Sequence, residues 1–360
     1  MWHRVTPARS TMYDITDERT LPIATPTVRD VHARALRELR ISVIDRCNLR
    51  CTYCMPADGA GKQYTFLPRQ EVLSAGEIVR LARVFVARGV HKLRITGGEP
   101  LLRADLVPLV RDLAALPGVD DLALTTNGTL LPALAEPLRE AGLGRITVSL
   151  DTLDPEVMHA MTGDLAEVEQ VLAGIEAAER AGFRALKINT VVQRGVNDHT
   201  VMDLLAHFRG TGHTVRLIEY MDVGTRNHWQ REQVVPSAEW RQRIHERWPL
   251  RALPRHAASA TANRFAYVDG QGEIGFISSV SEPFCGACTR ARLTADGTLY
   301  TCLFAARGLA LRPLLRGAAE DEAIAAAIDR AWRRRDDRYS EQRSADAPEA
   351  DRVEMYRVGG

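Results

Sequence analysis

Residues Cys47-Asn48-Leu49-Arg50-Cys51-Thr52-Tyr53-Cys54 place three cysteines within one short stretch, directly after an apolar strand predicted at 41–44. Disulfides favour an even number of cysteines, and a structural zinc site usually takes four ligands, so a C-x3-C-x2-C triplet suits neither. Three thiolates can hold three irons of a four-iron cluster and leave the fourth open to an outside ligand. The spacing therefore favours a reactive iron–sulfur cluster. A zinc knuckle and unreactive buried thiols remain alternatives, because short motifs also match by chance.

The composition is that of a globular protein. The 360 residues include 45% hydrophobic and 26% charged residues, with a formal net charge of +1. This balance gives no electrostatic reason to expect nucleic acid or an anionic membrane as a partner. The sequence has no run of about 20 apolar residues, and residues 1–30 do not resemble a signal peptide. All six cysteines fall into two triplets, which predicts metal clusters in a reducing compartment, by default the cytoplasm.

From Arg40 onward, short apolar strands alternate with amphipathic helices, the pattern of parallel β-α-β units. The first helix has a capping-box signature, with Ser74 followed three residues later by Glu77. Six strands are predicted, at 41–44, 92–96, 122–125, 146–150, 186–192 and 215–219. The later helices are predicted near 105–116, 132–141, 166–181 and 201–208. This α/β order suits either an open doubly wound sheet or an incomplete (β/α)6 barrel of the TIM type, which periodicity does not separate.

The alternation weakens after residue 226, which divides the chain into four expected regions. Residues 1–35 lack a sustained period and are expected to be a flexible extension, and residues 36–225 form the α/β unit. Residues 226–335, with strands predicted at 264–268 and 273–278 and a helix near 320–332, form a C-terminal domain or extension. Residues 336–360 are rich in charge and expected to be a flexible tail that ends in Gly-Gly.

Polar and glycine-rich segments follow the ends of the predicted strands. They are Gly97-Gly98-Glu99-Pro100, Thr125-Thr126-Asn127-Gly128, Ser149 with Asp151, and Glu219-Tyr220-Met221. In a parallel barrel, functional residues sit at the carboxyl ends of the strands, so these segments and the cysteine loop should converge on one mouth. Taken singly, Gly-Gly and Asn-Gly are ordinary turn dipeptides, and a lone methionine is usually core filler.

A second cysteine triplet lies in the C-terminal region. Its C-x2-C-x13-C pattern consists of Cys285, Cys288 and Cys302. A zinc site completed by a histidine such as His256 is one interpretation, because C-x2-C knuckles are typical of zinc. A second cluster with an open iron is the other. It is favoured by Arg290 and Arg292, whose planar, permanently charged groups could bind an anion beside the ligands. As surface charges on a hairpin, the same arginines would mean little.

The first triplet, with Tyr53 just before its last cysteine, resembles the signature of the radical S-adenosylmethionine enzymes. In that family the open iron binds the methionine moiety of S-adenosylmethionine, and one electron cleaves the sulfonium to give a 5′-deoxyadenosyl radical. The resemblance favours the incomplete barrel with a C-terminal cluster-binding extension. It implies a [4Fe-4S] cluster on Cys47, Cys51 and Cys54, and S-adenosylmethionine contacts from Tyr53, Gly98, Glu99, Ser149 and Met221. Glu99 would accept a hydrogen bond from the methionine amine.

Both triplets together, with the terminal Gly-Gly, resemble over residues 40–360 the members of this family that cyclise GTP at the start of molybdenum cofactor biosynthesis. The implied reaction joins C3′ of the ribose to C8 of guanine and gives a cyclic dihydroguanosine triphosphate. A second [4Fe-4S] cluster, on Cys285, Cys288 and Cys302, would bind the guanine ring. The residues implied to contact GTP are Arg40, Arg94, Thr125, Lys187, Arg290, Ala291 and Arg292. Lys187 lies near the start of its strand, where the strand-end argument does not explain it.

The resemblance also implies catalytic roles for Arg290, Arg292, Gly359 and Gly360, with the tail reaching into the active site. A frayed terminus and a sulfur-carrier end are the other interpretations of Gly-Gly. The expected partners are GTP, S-adenosylmethionine, an electron donor, the downstream cyclic pyranopterin monophosphate synthase and a second copy in a homodimer. Two positions depart from the family pattern: Thr289 replaces the common asparagine and Val358 the common isoleucine, and neither removes a ligand.

Two competing classes stay open. A peptide-modifying radical S-adenosylmethionine enzyme would bind a peptide instead of GTP. A non-catalytic scaffold with two metal sites would hold zinc and would not cleave S-adenosylmethionine. Iron analysis separates the scaffold from both enzymes, since two four-iron clusters predict about eight irons per chain.

Overall fold

The computed structural model describes residues 27–56, 64–343 and 352–359, so Gly360, a predicted catalytic residue, lies outside the described residues. The strands are β1 (Glu38–Ser42), β2 (Lys92–Thr96), β3 (Asp121–Thr126), β4 (Arg145–Ser149), β5 (Lys187–Val192), β6 (Thr214–Glu219), β7 (Leu250–Ala252), β8 (Asn263–Tyr267), β9 (Glu273–Ile277), β10 (Arg290–Leu293), β11 (Thr298–Tyr300) and β12 (Leu309–Ala310). The helices are α1 (Ala75–Val86), α2 (Leu106–Ala114), α3 (Leu131–Glu140), α4 (Pro155–Thr162), α5 (Val168–Arg180), α6 (Val201–Phe208), α7 (Ser237–Arg247), α8 (Arg312–Arg316), α9 (Asp321–Arg333), α10 (Tyr339–Gln342) and α11 (Met355–Val358). Among them, no helix combines the length and apolar character needed to cross a bilayer.

The strands form one sheet in the order β12-β11-β10-β1-β2-β3-β4-β5-β6-β9-β8-β7. Strands β1 to β6 lie side by side in chain order, and each pair is parallel. A doubly wound sheet reverses its strand order at a switch point, whereas a barrel keeps the order of the chain. The predicted incomplete barrel is therefore confirmed.

The C-terminal region extends this sheet at both edges. Strand β9 pairs in parallel with β6, and β10 pairs in parallel with β1. Antiparallel strands continue the sheet beyond each of them. Residues 226–335 therefore share the sheet of the barrel instead of forming one of their own. The pairing of β1 with β10 sets Arg40 opposite Arg292.

The helix starts follow their capping residues. Ser74 and Glu77 form the predicted reciprocal capping box at the start of α1. Helix α4 was not predicted; it begins at Pro155 after Asp154, whose carboxylate accepts hydrogen bonds from the next two free N–H groups. With eight residues it is too short to establish a helical period. Strand β1 begins earlier than predicted because its ladder with β2 starts at Glu38.

The described parts of both termini are packed, so the expectation of flexibility does not hold for them. Within residues 27–35, Asp30 and Arg34 are buried and form an ion pair at 2.6 Å. In the tail, Val358 is fully buried. The charges that suggested a flexible segment are partly neutralised in the structure: Arg343 and Arg352 both pair with Asp222, at 2.9 and 3.1 Å. Composition alone does not reveal such pairing.

Candidate active site

A cavity of about 950 Å³ runs through the barrel interior, and both cysteine triplets face it. The predicted site residues that line it are Arg40, Cys47, Cys51, Tyr53, Cys54, Arg94, Gly98, Glu99, Thr125, Ser149, Lys187, Met221, Cys285, Cys288, Arg290, Arg292 and Cys302. Ala291 is fully buried in the hydrophobic core instead, because successive side chains of a strand point to opposite faces. The fold thus brings together segments that are widely separated in the chain.

The first triplet lies in the loop after β1, with its thiols free and half-buried. The N–H groups of Cys54 and Met55 both donate to the Cys51 carbonyl, at 3.0 and 2.8 Å. Burial raises the pKa of Cys47 to about 11 and raises the pKa values of Cys51 and Cys54 further, with nearby thiols adding to the effect. Within the described ranges, no three side chains converge on a single-ion site. Thiolates in this loop need a compensating cation, and an iron–sulfur cluster would supply it.

Two glycines let the loop after β2 lie directly against the cysteine loop. The N–H of Gly98 donates to the Ile44 carbonyl at 2.9 Å, and the N–H of Glu99 donates to the Arg46 carbonyl at 2.8 Å. A Cβ on Gly97 or Gly98 would overlap the Ile44 or Arg46 carbonyl, respectively. Gly98 therefore makes its close approach to the backbone of the cysteine loop. This contact fixes the cysteine loop in place.

Glu99 is buried and already carries three hydrogen bonds. Its carboxylate accepts from the Leu101 N–H at 3.0 Å, the Thr126 hydroxyl at 2.7 Å and the Asn127 N–H at 2.8 Å. Burial raises the pKa of Glu99 to about 7 in spite of these bonds. A carboxylate has roughly four acceptor positions, so one remains for a ligand amine. Through these three hydrogen bonds, Glu99 links the loop after β2 to the loop after β3.

Asp151 provides a second buried carboxylate beside the first triplet. It accepts from the Tyr53 hydroxyl at 2.7 Å and from the Val191 N–H at 2.8 Å. Burial raises its pKa to about 6. Ser149 ends β4, just before Asp151, and Met221 follows β6; both residues line the cavity. Buried carboxylates make this part of the cavity suitable for a cationic ligand.

The second triplet lies among arginines. Burial opposes ionisation of Cys288, yet Arg290 and Arg335 outweigh it and lower the pKa of that thiol to about 7. Cys302, in contrast, has a pKa raised to about 11 by burial and the nearby Asp337. Neighbouring guanidinium groups stabilise thiolate, the form that binds metal. The residues present therefore fit a metal cluster at this triplet as well.

Basic side chains also line the barrel interior between the triplets. Lys187 faces the cavity although it is the first residue of its strand. It pairs with Thr147 in the neighbouring strand, and the alternation of side chains along a strand directs it inward. Burial and nearby arginines lower the pKa of Lys187 to about 7. Arg94 donates to the Thr125 hydroxyl at 3.1 Å. Burial opposes ionisation of Glu38, but Arg40 and Arg94 outweigh it and hold the pKa of that carboxyl at about 2.

The comparisons with known proteins agree with this geometry. Residues 41–208 match the radical SAM superfamily, and residues 213–341 match the molybdenum cofactor synthesis C family. A GTP 3′,8-cyclase of Xanthomonas axonopodis pv. citri is 54% identical over 336 residues, which cover 93% of this chain and 100% of the relative. The chain belongs to the GTP 3′,8-cyclase family.

Other GTP 3′,8-cyclases and a solved structure extend the comparison. The enzyme of Acidothermus cellulolyticus is 52% identical over 93% of this chain and 95% of its own length. GTP 3′,8-cyclase 1 of Mycobacterium tuberculosis is 47% identical over 88% of each chain. Streptococcus suis SuiB bound to its precursor peptide SuiA has a TM-score of 0.57 at 17% identity, covering 87% of this chain and 68% of SuiB. The likeness to SuiB concerns the fold alone.

The C-terminal tail of this family member contacts residues that line the cavity. Arg292 donates to the carbonyls of Val358, at 3.2 Å, and Gly359. Gly359 has a φ of 68°, and a Cβ there would overlap the side chain of Thr96 at the end of β2. The described tail therefore reaches one of the predicted catalytic arginines.

Sequence reasoning missed several residues that line the cavity of this cyclase-family chain. They are Asp151, whose position was noted without a role, and the basic residues Lys92, Arg145 and Arg216. A signal was present: a charged residue in the middle of an apolar strand needs a polar space to face. In Val215-Arg216-Leu217 the flanking residues are buried apolar positions, so Arg216 points to the other side.

Proposed function

We propose that this chain catalyses the conversion of GTP to 3′,8-cyclo-7,8-dihydroguanosine 5′-triphosphate, the first step of molybdenum cofactor biosynthesis, with S-adenosylmethionine and two [4Fe-4S] clusters. The observation that carries the proposal is one cavity that joins two cysteine triplets and is lined by carboxylates near the first and by arginines near the second. Family membership supplies the reaction, and the charge distribution matches its two ligands.

The first half of the cavity suits S-adenosylmethionine. Cys47, Cys51 and Cys54 would hold the first cluster, which together with S-adenosylmethionine supplies a 5′-deoxyadenosyl radical able to abstract the 3′ hydrogen of GTP. Burial raises the pKa values of Glu99 and Asp151 to about 7 and about 6, so a cationic ligand would stabilise their ionised forms. These carboxylates favour the sulfonium and ammonium groups of the cofactor.

The second half of the cavity suits GTP. Cys285, Cys288 and Cys302 would hold the second cluster beside the base. Arg40, Arg94 and Arg292 lie at the same level of three adjacent strands, because Arg40 is paired with both of the others. Aimed guanidinium groups bind phosphate strongly, so this layer would orient the triphosphate. Gly359 of the tail would close the same space beside Arg292.

The remaining roles complete the proposal. Reductive cleavage consumes an electron, which requires an external donor, and the cyclised nucleotide is the substrate of cyclic pyranopterin monophosphate synthase. Six free cysteines suit a reducing compartment such as the cytoplasm. A homodimer is expected from the family resemblance, and light scattering of the purified protein would measure it.

The decisive experiment is anaerobic incubation of the reconstituted protein with a strong reductant, S-adenosylmethionine and GTP. Both 5′-deoxyadenosine and the cyclised nucleotide should accumulate, and about eight irons should be bound per chain. Replacement of GTP by ATP is the matched control and should give no cyclised nucleotide. Stoichiometric zinc, or S-adenosylmethionine cleavage that never yields the cyclised nucleotide, would refute the proposal.

A further inference from the structure

Three segments that are distant in the chain meet behind the second triplet. They are residues 27–35, residues 285–302 and the end of α9 with residues 334–337. At their centre lie Asp30, Arg34 and Arg335, whose side chains are at most 2% exposed. We call these three residues the Asp30 network. Burial of an ionised group is unfavourable unless the group is paired and hydrogen-bonded, so the partners of these charges are informative.

Asp30 aligns both arginines. Its Oδ2 accepts from Arg34 Nε at 2.6 Å and from Arg335 Nη1 at 3.1 Å. Its Oδ1 accepts from the backbone N–H groups of His32 and Arg34, at 3.0 and 2.9 Å. The indole N–H of Trp332 donates to the Arg34 carbonyl at 3.0 Å, and the Arg335 guanidinium lies 4.5 Å from the centre of the same ring. Both guanidinium groups are thus held in fixed orientations.

The two arginines bind backbone carbonyls at two of the cysteines and at the residue before the third. Arg34 Nη1 donates to the Cys285 carbonyl at 2.8 Å. Arg335 Nη1 donates to the Cys288 carbonyl at 2.9 Å, and Arg335 Nε donates to the Thr301 carbonyl, directly before the third cysteine, at 3.0 Å. The positive charge of Arg335 also helps to lower the pKa of the Cys288 thiol. Asp30 therefore orients both arginines that support the triplet, and Asp337 adds a second carboxylate 3.4 Å from Arg335 Nε.

The Asp30 network also leaves donor capacity beside the cysteines and places the charge of Arg335 near Cys288. Arg34 Nη2 is buried, and no hydrogen-bond partner for it occurs among residues 27–56, 64–343 and 352–359. Asp30 and Asp337, whose carboxylate lies 3.4 Å from Arg335 Nε, together balance the two guanidinium charges. The network therefore acts on the cysteines through its donors and through the placement of the Arg335 charge beside Cys288. Donors aimed at cluster sulfur and nearby positive charge both favour the more negative, reduced form of an iron–sulfur cluster.

We propose that the Asp30 network positions the cysteines of the second triplet and raises the reduction potential of the cluster that they hold. This inference rests on the second cluster of the proposed function. Asp30, Arg34 and Arg335 act through the cysteines, so they are positioning residues. It also gives a function to residues 30–34, in a segment that shows no chemistry in the sequence.

The test uses the full-length chain with Cys47, Cys51 and Cys54 changed to alanine, so that the second triplet is studied alone. After anaerobic reconstitution this parent should hold about four irons. Arg335→Gln removes the charge and the fork of donors, and Arg335→Lys keeps the charge alone. Asp321→Asn is the matched control, because it breaks a partly exposed ion pair with Arg80 at the other end of α9.

Arg335→Gln should shift the midpoint potential of the cluster to a more negative value and release iron to a chelator about tenfold faster. Arg335→Lys should restore much of the potential but not the resistance to chelation, and Asp321→Asn should match the parent in both. Circular dichroism of each variant checks the fold. An unchanged potential in Arg335→Gln, or in Arg335→Asn if the first variant does not fold, overturns the inference. A parent without iron overturns the second cluster itself, and with it the role of the network.

Discussion

The two cysteine triplets face one cavity but lie in opposite electrostatic surroundings. Beside the first are the buried carboxylates Glu99 and Asp151, whose pKa values burial raises to about 7 and about 6. Beside the second are arginines that outweigh the effect of burial and lower the pKa of Cys288 to about 7. The contrast supports the proposed placement of the ligands, with a sulfonium and an ammonium at the first end and a triphosphate at the second.

The largest expected effect comes from removing each triplet in turn. Cys51→Ala should abolish both S-adenosylmethionine cleavage and cyclisation, because the radical source is lost. Cys288→Ala should abolish cyclisation but keep reductive formation of 5′-deoxyadenosine. Chromatography of both products measures the difference, and each variant should keep about four of about eight irons. Loss of 5′-deoxyadenosine in both variants would contradict the division of labour between the triplets.

A methyl group at Gly359 should displace the tail from the arginine end of the cavity. It would overlap the Thr96 side chain, at a φ that only glycine adopts without strain. A clash of about 1–3 kcal/mol predicts about a 10- to 100-fold loss of cyclised product from Gly359→Ala, with the iron content unchanged.

Gly182→Ala is the matched control for that variant. Gly182 also has a positive φ, of 88°, but a Cβ there would meet no atom within 4 Å. Its substitution should cost stability and leave turnover intact. Equal losses of turnover in the two variants would attribute the effect to backbone strain instead of to the position of the tail.

The cation-rich end should take up a proton when GTP binds. Burial and nearby arginines lower the pKa of Lys187 to about 7, so at pH 8 the free side chain is mostly neutral. A bound triphosphate favours the ammonium form and raises that pKa, so binding should take up close to one proton per GTP. Calorimetry of GTP binding in two buffers with different ionisation enthalpies measures this number. Lys187→Arg, which is always charged, should show no uptake; the same uptake in both proteins would assign the proton to another group.

The smallest effect concerns the turn that supports the second triplet. Ala33, between Asp30 and Arg34, has a φ of 59°, a left-handed conformation that strains any residue with a Cβ. Ala33→Gly should raise the free energy of unfolding of the apo-protein by about 0.5–1 kcal/mol, after the entropy cost of glycine is subtracted. Ala323→Gly in α9 should lower it by about 1 kcal/mol. Urea titrations of both variants test the contrast, and destabilisation by Ala33→Gly would contradict it.

Much of the barrel follows from the sequence. Strand β2 and helix α6 have the predicted bounds, and the predicted capping box at Ser74 is present. Local signals suffice there because apolar periodicity and capping depend on neighbours in the chain. Helix α4 is too short for that signal, and the packing of residues 27–35 depends on partners about 300 residues away, such as Arg335 with Asp30.

The sequence by itself determined the two triplets, the strand end that carries the first of them and the family, because cysteine spacing and strand periodicity are local properties of a chain. The tertiary structure decided which charges face which triplet. Strand register sets Arg40 beside Arg292, and the alternation of side chains directs Lys187 into the cavity. Glu99 and Asp151 become buried beside the first triplet when the loops that carry them pack together. It also joined Asp30 to the second triplet. Such long-range neighbours arise only when the sheet closes around the cavity, and their electrostatic strength depends on the burial that closure produces.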